Sequence, residues 1–170
     1  MRSLMIICLL LVSRAVFAQE AETIGWEDLL PEGELELLEQ MMRDSEQGLF
    51  FGHSSNPEDG LTPNQIGTYN TVEELNNKLV RLPGYILPTE YDQEGQVTDF
   101  LLVPYLGACI HMPPPPPNQI VYVQSATAAD YGGMWRPVWV TGIMKAETYI
   151  NSLGNTAYSM ELKGWEPYEN

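Results

Sequence analysis

The chain has 170 residues with 23 acidic and 8 basic side chains, for a formal net charge of −15, and 44% of it is hydrophobic. That balance excludes nucleic acid and anionic membrane surfaces as natural partners, because phosphate binding relies on Lys and Arg to release counterions; it favours cations and basic surfaces. A chain of this length forms one ordinary domain, large enough to bury a core without disulfide staples.

Residues 1–18 have the pattern of a secretory signal peptide: Arg2 supplies positive charge, Leu4 to Val12 is an apolar run, and Val16-Phe17-Ala18 precedes a cleavage point. The run falls short of the roughly 20 apolar residues that span a bilayer. Cleavage after Ala18 would leave 152 of the 170 residues, and loss of Arg2 and Arg14 would take the charge from −15 to −17. Cys8 leaves with the signal, so Cys109 is the only remaining thiol and no intrachain disulfide forms. A periplasmic or secreted location follows, with no membrane span after cleavage.

Residues 19–70 read as an acidic N-terminal helix and loop. Leu35, Leu38 and Met42 recur at i, i+3 and i+7, with Leu37 and Met41 beside them, which predicts one amphipathic helix. Trp26, Leu29, Leu30 and Pro31 form an anchoring turn ahead of it. Met41 and Met42 offer soft donors, yet methionines at helical spacing read as core filler. Phe50 to Tyr69 has loop composition and contains His53, a candidate to approach Cys109 and His111.

Residues 71–170 read as a β domain. Thr71-Val72-Glu73-Glu74 matches a capping box and predicts a short helix from Val72 to about Lys78. Five apolar runs then predict strands at Leu79 to Leu87, Val97 to Pro104, Gln119 to Gln124, Pro137 to Met144 and Ala157 to Gly164. Asp92-Gln93-Glu94-Gly95 is a hairpin turn between the first two. Gly84 and Gly142 mark sharp bends. The expected fold is mainly β (α+β): a small five-stranded OB-like barrel with an N-terminal amphipathic helix and one short helix, the alternative being a small open β-sandwich.

The chemistry concentrates at Cys109-Ile110-His111-Met112, followed by Pro113 to Pro117, Asn118 and Gln119. On an extended strand Cys109 and His111 leave the same face, as a shared ion requires. Thiolate and imidazole both suit zinc, and copper or another soft ion would accept the same pair, although structural zinc takes four donors. The bland reading is a buried cysteine beside a hydrogen-bonded histidine. Five prolines supply no amide donors and favour a polyproline II rod. Flanked by strands, the rod reads as an internal brace across a barrel end or over Trp135, Trp139 or a tyrosine; the alternative is an exposed ligand for a partner's aromatic groove. A thiol enzyme with Cys109 as nucleophile, His111 as base and Asp99 as orienter is disfavoured, because the negative charge opposes a thiolate and no oxyanion or phosphate-binding motif is present.

Several blocks together resemble the bacterial exported family catalogued as domain of unknown function 3299. They are Leu82-Pro83-Gly84-Tyr85, Pro88, Phe100-Leu101-Leu102-Val103-Pro104-Tyr105, Gly107-Ala108-Cys109-Ile110-His111 with its prolines, Asn118-Gln119 and Val138-Trp139-Val140-Thr141-Gly142. The opening Trp26-Glu27-Asp28-Leu29 resembles the family's usual entry. The resemblance implies a small periplasmic protein without a settled activity, associated in some members with transition-metal supply and transporter genes. It maps onto metal chemistry only at Cys109 and His111. The expected role is a non-catalytic accessory or binding protein linked to zinc or another transition metal; the alternative is an envelope assembly module that docks a periplasmic or transporter partner through its acidic surface and polyproline segment.

Overall fold

Alternating burial along the apolar runs builds the strands. In the computed structural model β2 (Leu79–Tyr91) buries every second residue from Val80 to Ile86, and β5 (Val138–Lys145) alternates along its whole length. Such period-two burial is what a strand with one face on a core must show. The structure describes residues 20–46, 65–108, 114–129, 131 and 135–169; the expected export signal over 1–18, His53, Cys109 and His111 lie outside them.

The remaining strands are β1 (Glu22–Thr23), β3 (Val97–Val103), β4 (Val121–Ala129) and β6 (Tyr158–Pro167). β2, β3 and β4 form an antiparallel meander, β6 pairs parallel to β4, and β5 pairs antiparallel to both β6 and β2. The β2–β5 pairing closes a five-stranded OB-like barrel and excludes the open sandwich. β1 is an extra strand, parallel to β2, with Glu22 opposite Val80.

β2 serves two partners in succession. Its residues Leu79 to Gly84 pair with β5, and Tyr85 onward pairs with β3, so the chain changes partner at Gly84. A Cβ there would lie 2.8 Å from the Val103 carbonyl oxygen. At Gly142, beside a register shift between β5 and β6, a Cβ would lie 2.5 Å from the Glu161 carbonyl oxygen. Both glycines therefore permit close backbone approach where the barrel wall turns. The hairpin between β2 and β3 is held by Asp92, whose carboxylate accepts from the amides of Glu94 and Gln96, with Gly95 at φ 78°.

Two apolar clusters result. Val80, Leu82, Phe100, Leu102, Val121, Val140 and Met160 fill the barrel, where Tyr131 meets Phe100 edge-on with ring centroids 5.1 Å apart. Leu101 and Val103 point the other way and join Leu87, Ala108, Ile120 and Tyr122 on the outer face of the meander. Tyr149, from the β5–β6 connection, stacks on Tyr122 at 3.6 Å and covers that outer cluster with Leu153. This second layer explains why the inner end of β3 is buried on both faces.

The helical expectations need correction. α1 (Glu34–Glu46) forms where predicted, but only Leu38 of the Leu35–Leu38–Met42 stripe is buried; Leu35 is 55% and Met42 53% exposed. The polar Glu34 takes the inward position instead, at 4% exposure. Met42 is therefore not core filler. The predicted helix over Val72 to Lys78 is a single 3-10 turn, Glu73–Leu75, with Val72 and not Thr71 at its start and no side-chain cap. Asn77 at φ 62° ends it before β2. The turn is held instead from outside, by the Val72 amide donating to the Tyr158 hydroxyl at 2.6 Å. The anchoring turn around Trp26 is also a 3-10 turn, Glu27–Leu29, with Leu29 fully buried and the Trp26 indole donating to the Pro83 carbonyl at 2.8 Å.

Candidate functional site

The connection from β3 to β4 carries the sequence's chemical motif, and its two ends are well placed. On the β3 side, Gly107 adopts φ 85° and Ala108, 1% exposed, packs into the outer cluster. On the β4 side, Pro115 and Pro117 are buried. The Pro115 carbonyl accepts from Gln65 Nε2 at 3.0 Å, and the Pro117 carbonyl accepts from the Ala157 amide at 2.8 Å. Pro116 lies so close to Gly67 that a Cβ on that glycine would fall 2.5 Å from the Pro116 Cβ. Gly67, at φ 144°, thus gives the proline segment its seat. The Pro115 and Pro117 carbonyls tie the segment into the protein, since prolines have no amides to offer.

Cys109 and His111 lie between these anchors, outside the described residues, as does His53. Asp99, the expected orienter for His111, accepts a hydrogen bond from the Tyr122 hydroxyl at 3.2 Å. Burial, with the neighbouring Tyr149 and the charge of Asp99, raises the Tyr122 pKa well above its ordinary value. The Arg81 guanidinium lies 3.9 Å from the Trp139 ring, which also stacks with Tyr168. Trp135 is 65% exposed. Among the described residues, no three His, Cys, Asp or Glu side chains converge as a metal-binding group.

Immediately beyond the prolines, Asn118 enters a buried polar junction that the sequence did not disclose. Its Nδ2 donates to Glu34 Oε1 at 3.0 Å and to the Asn70 carbonyl at 3.2 Å. The Thr68 hydroxyl donates to the same Glu34 oxygen, and Asn70 Nδ2 donates to the other at 2.9 Å. Glu34 thereby joins the start of α1 to residues 68–70 and to the end of the proline segment. The Gln119 side chain continues the seam by donating to the Trp26 carbonyl at 2.9 Å. Tyr158, fully buried at the start of β6, donates to the Leu29 carbonyl at 2.8 Å while accepting from Val72. One hydroxyl so joins the Glu27–Leu29 and Glu73–Leu75 turns. Its pKa is raised by burial, helped by the charges of Glu73 and Glu34 and opposed by the Val72 hydrogen bond.

Between those two turns runs an open cleft of about 500 Å³ with Glu27, Asp28, Glu32, Glu73 and Glu74 around it and Leu30 and Pro31 among its lining. The carboxylates come from segments some 40 residues apart, which Tyr158 brings together. Such a cleft attracts cations and basic groups. Thr71 and Val72 complete its lining. The sequence signals for it were only two separate acidic stretches, each readable as solvated surface.

Comparison with known proteins agrees with the motif blocks. A family model described as a protein of unknown function (DUF3299) matches residues 26–167. The chain belongs to this DUF3299 family. It is also similar to the crystal structure of a DUF3299 family protein from Pseudomonas aeruginosa PAO1, with 32% sequence identity and a TM-score of 0.67, covering 89% of this chain and 98% of that one. No curated protein matches the chain. The family match spans both turns, α1, the proline segment and the barrel, so the seam and cleft belong to the shared fold region.

Proposed function

We propose that this DUF3299 protein is a non-catalytic accessory protein, exported to the periplasm, that binds a transition-metal ion, zinc in the first instance, through Cys109 and His111. The observation that supports this reading is the anchoring of the motif at both ends: Ala108 is buried in the outer cluster, and Pro115 and Pro117 are hydrogen-bonded into the body. Fixed ends shorten the conformational search of the donors between them and lower the entropic cost of binding. Zinc–thiolate and zinc–imidazole bonds require deprotonated donors, so affinity should rise with pH through the neutral range. Two donors leave places in the coordination shell for another side chain, water or a partner that takes the ion onward.

The test is a zinc titration of the purified mature chain by calorimetry, alongside Cys109→Ser and His111→Ala variants. One zinc per chain at micromolar or tighter affinity, lost in both variants while the fold is retained, is the expected result. Mature protein that binds no zinc or copper at micromolar concentration overturns the reading. So does binding that survives both substitutions.

A further inference from the structure

α1 leaves apolar side chains uncovered on an otherwise acidic helix. Leu35 and Met42, one heptad apart and therefore on one face, are 55% and 53% exposed, and Leu38 between them is buried against the body. The uncovered face continues from the edge of the buried one, so α1 and the body together form a shoulder. Glu36 and Glu39 rise beside it on the same helix, and Arg43, the helix's only basic residue, is engaged by Glu39. At the N-terminal end, Glu32 leads from α1 into the carboxylate-lined cleft. An isolated exposed leucine is ordinary; apolar side chains aligned at i and i+7 beside a buried one are the pattern of helix-in-groove recognition.

Charge decides what fits there. A second copy of the chain would bring its own acidic helix against this one and add a formal charge of −15 to another −15. We infer that the α1 shoulder is a docking surface for a basic amphipathic segment of another protein, with apolar side chains on Leu35 and Met42 and Lys or Arg side chains toward Glu36, Glu39 and the cleft. No residue of this surface is one of the proposed zinc donors, so the docking stands or falls independently of zinc binding. Electrostatic attraction would speed the encounter and the apolar stripe would select helical spacing.

The probe is a short, fluorescently labelled helical peptide of leucine and lysine with its leucines on one face, titrated into the full mature chain. A control peptide of identical composition has the leucines scattered around the helix. The aligned peptide should bind more tightly than the scattered one, and the double variant Leu35→Ser with Met42→Ser should weaken it by roughly tenfold while leaving the scattered peptide unchanged. Equal binding of the two peptides would mean charge attraction alone and overturns the inference. Unchanged affinity in the double variant also overturns it. A wild-type dimer by light scattering that becomes monomeric in the double variant assigns the face to a second copy. A double variant that loses stability while the wild type ignores both peptides assigns it to residues 47–64 of the same chain. Either assignment defeats the proposal.

Discussion

Inside the barrel the buried side chains are mainly apolar, among them Val80, Leu82, Phe100, Leu102, Val121 and Met160; along the seam where residues 26–34, 65–77, 114–119 and 155–158 meet, they include Glu34, Gln65, Asn118, Asn155 and Thr156. The first region is held by area removed from water, which is non-directional and tolerates exchange of one apolar residue for another of similar volume. The second is held by hydrogen bonds with fixed partners. Gln65 donates to the Pro115 and Asn155 carbonyls and accepts from the Asn155 amide, so one side chain joins three distant segments. A polar seam of this kind contributes modest net stability per bond but costs the desolvation of every group left unpaired. The barrel thus sets whether the protein folds, and the seam sets where the N-terminal turns and the proline segment sit upon it.

Deep truncation of the barrel should have the largest effect. Phe100→Ala removes a fully buried ring and its edge contact with Tyr131, and should lower unfolding free energy by about 3–5 kcal/mol in urea titrations. A cost under about 1 kcal/mol would mean that the interior is loosely packed and that the contrast with the seam is misplaced.

Glu34→Gln comes next. The substitution keeps the size of the side chain but turns one acceptor oxygen into a donor, facing Thr68, Asn70 and Asn118 groups that all donate now. A loss of about 2–3 kcal/mol is expected, from charge-assisted bonds removed and donors left unpaired. Amide exchange sharpens the comparison. Protection should fall around residues 68–70 and the start of α1 while the β2–β5 ladder remains protected, because the seam opens without the barrel. Uniform loss of protection would instead make seam and barrel a single cooperative unit.

Tyr158→Phe keeps the ring in the core and deletes only the hydroxyl that accepts from Val72 and donates to Leu29, so about 1–3 kcal/mol is at stake. The same hydroxyl imposes a pH dependence. Its folded pKa lies above the ordinary tyrosine value, as do those of Tyr122 and Tyr131. The folded state then holds these protons longer than the unfolded chain. Stability is fully present below about pH 10 and falls as pH rises beyond it, by up to about 1.4 kcal/mol per pH unit for each such tyrosine. Melting temperatures between pH 8 and 11 should show the decline, and Tyr158→Phe should make it shallower; an identical slope in the variant would place the pH sensitivity elsewhere.

The contrast between the regions also explains what the sequence disclosed. Strand periodicity is a local property, so the five apolar runs located β2 to β6, falling short most at the far ends of β2 and β4, and Gly84 and Gly142 marked the places where neighbouring backbones come close. The hairpin at Asp92 was legible because its bonds join residues that are two to four apart. The seam is non-local. Glu34 reads as one more charge on a solvated helix until Asn118, 84 positions away, is brought against it. The Thr71 capping box is a local pattern too, and it could not show that the turn is fixed from 86 residues away, by the Tyr158 hydroxyl on the Val72 amide. The carboxylates of the cleft are assembled by that same tyrosine. The stripe on α1 was visible as a period but not as an exposed one, since periodicity shows which residues share a face and not what covers it.

The smallest expected effect is the most informative about α1. Leu35→Ser with Met42→Ser alters two side chains more than half exposed, and in the isolated protein each should change unfolding free energy by no more than about 0.5 kcal/mol, well below any seam substitution. Serine has lower helix propensity than leucine or methionine, so a small part of even that change is intrinsic to the helix and not to packing. Leu38→Ser supplies the internal standard, because it removes the one stripe residue that α1 buries and should cost several times more. If the three substitutions cost the same, the stripe is covered along its whole length and α1 belongs with the seam. If Leu38→Ser alone is expensive, α1 is attached along a single edge, and its remaining apolar side chains are free to meet another chain.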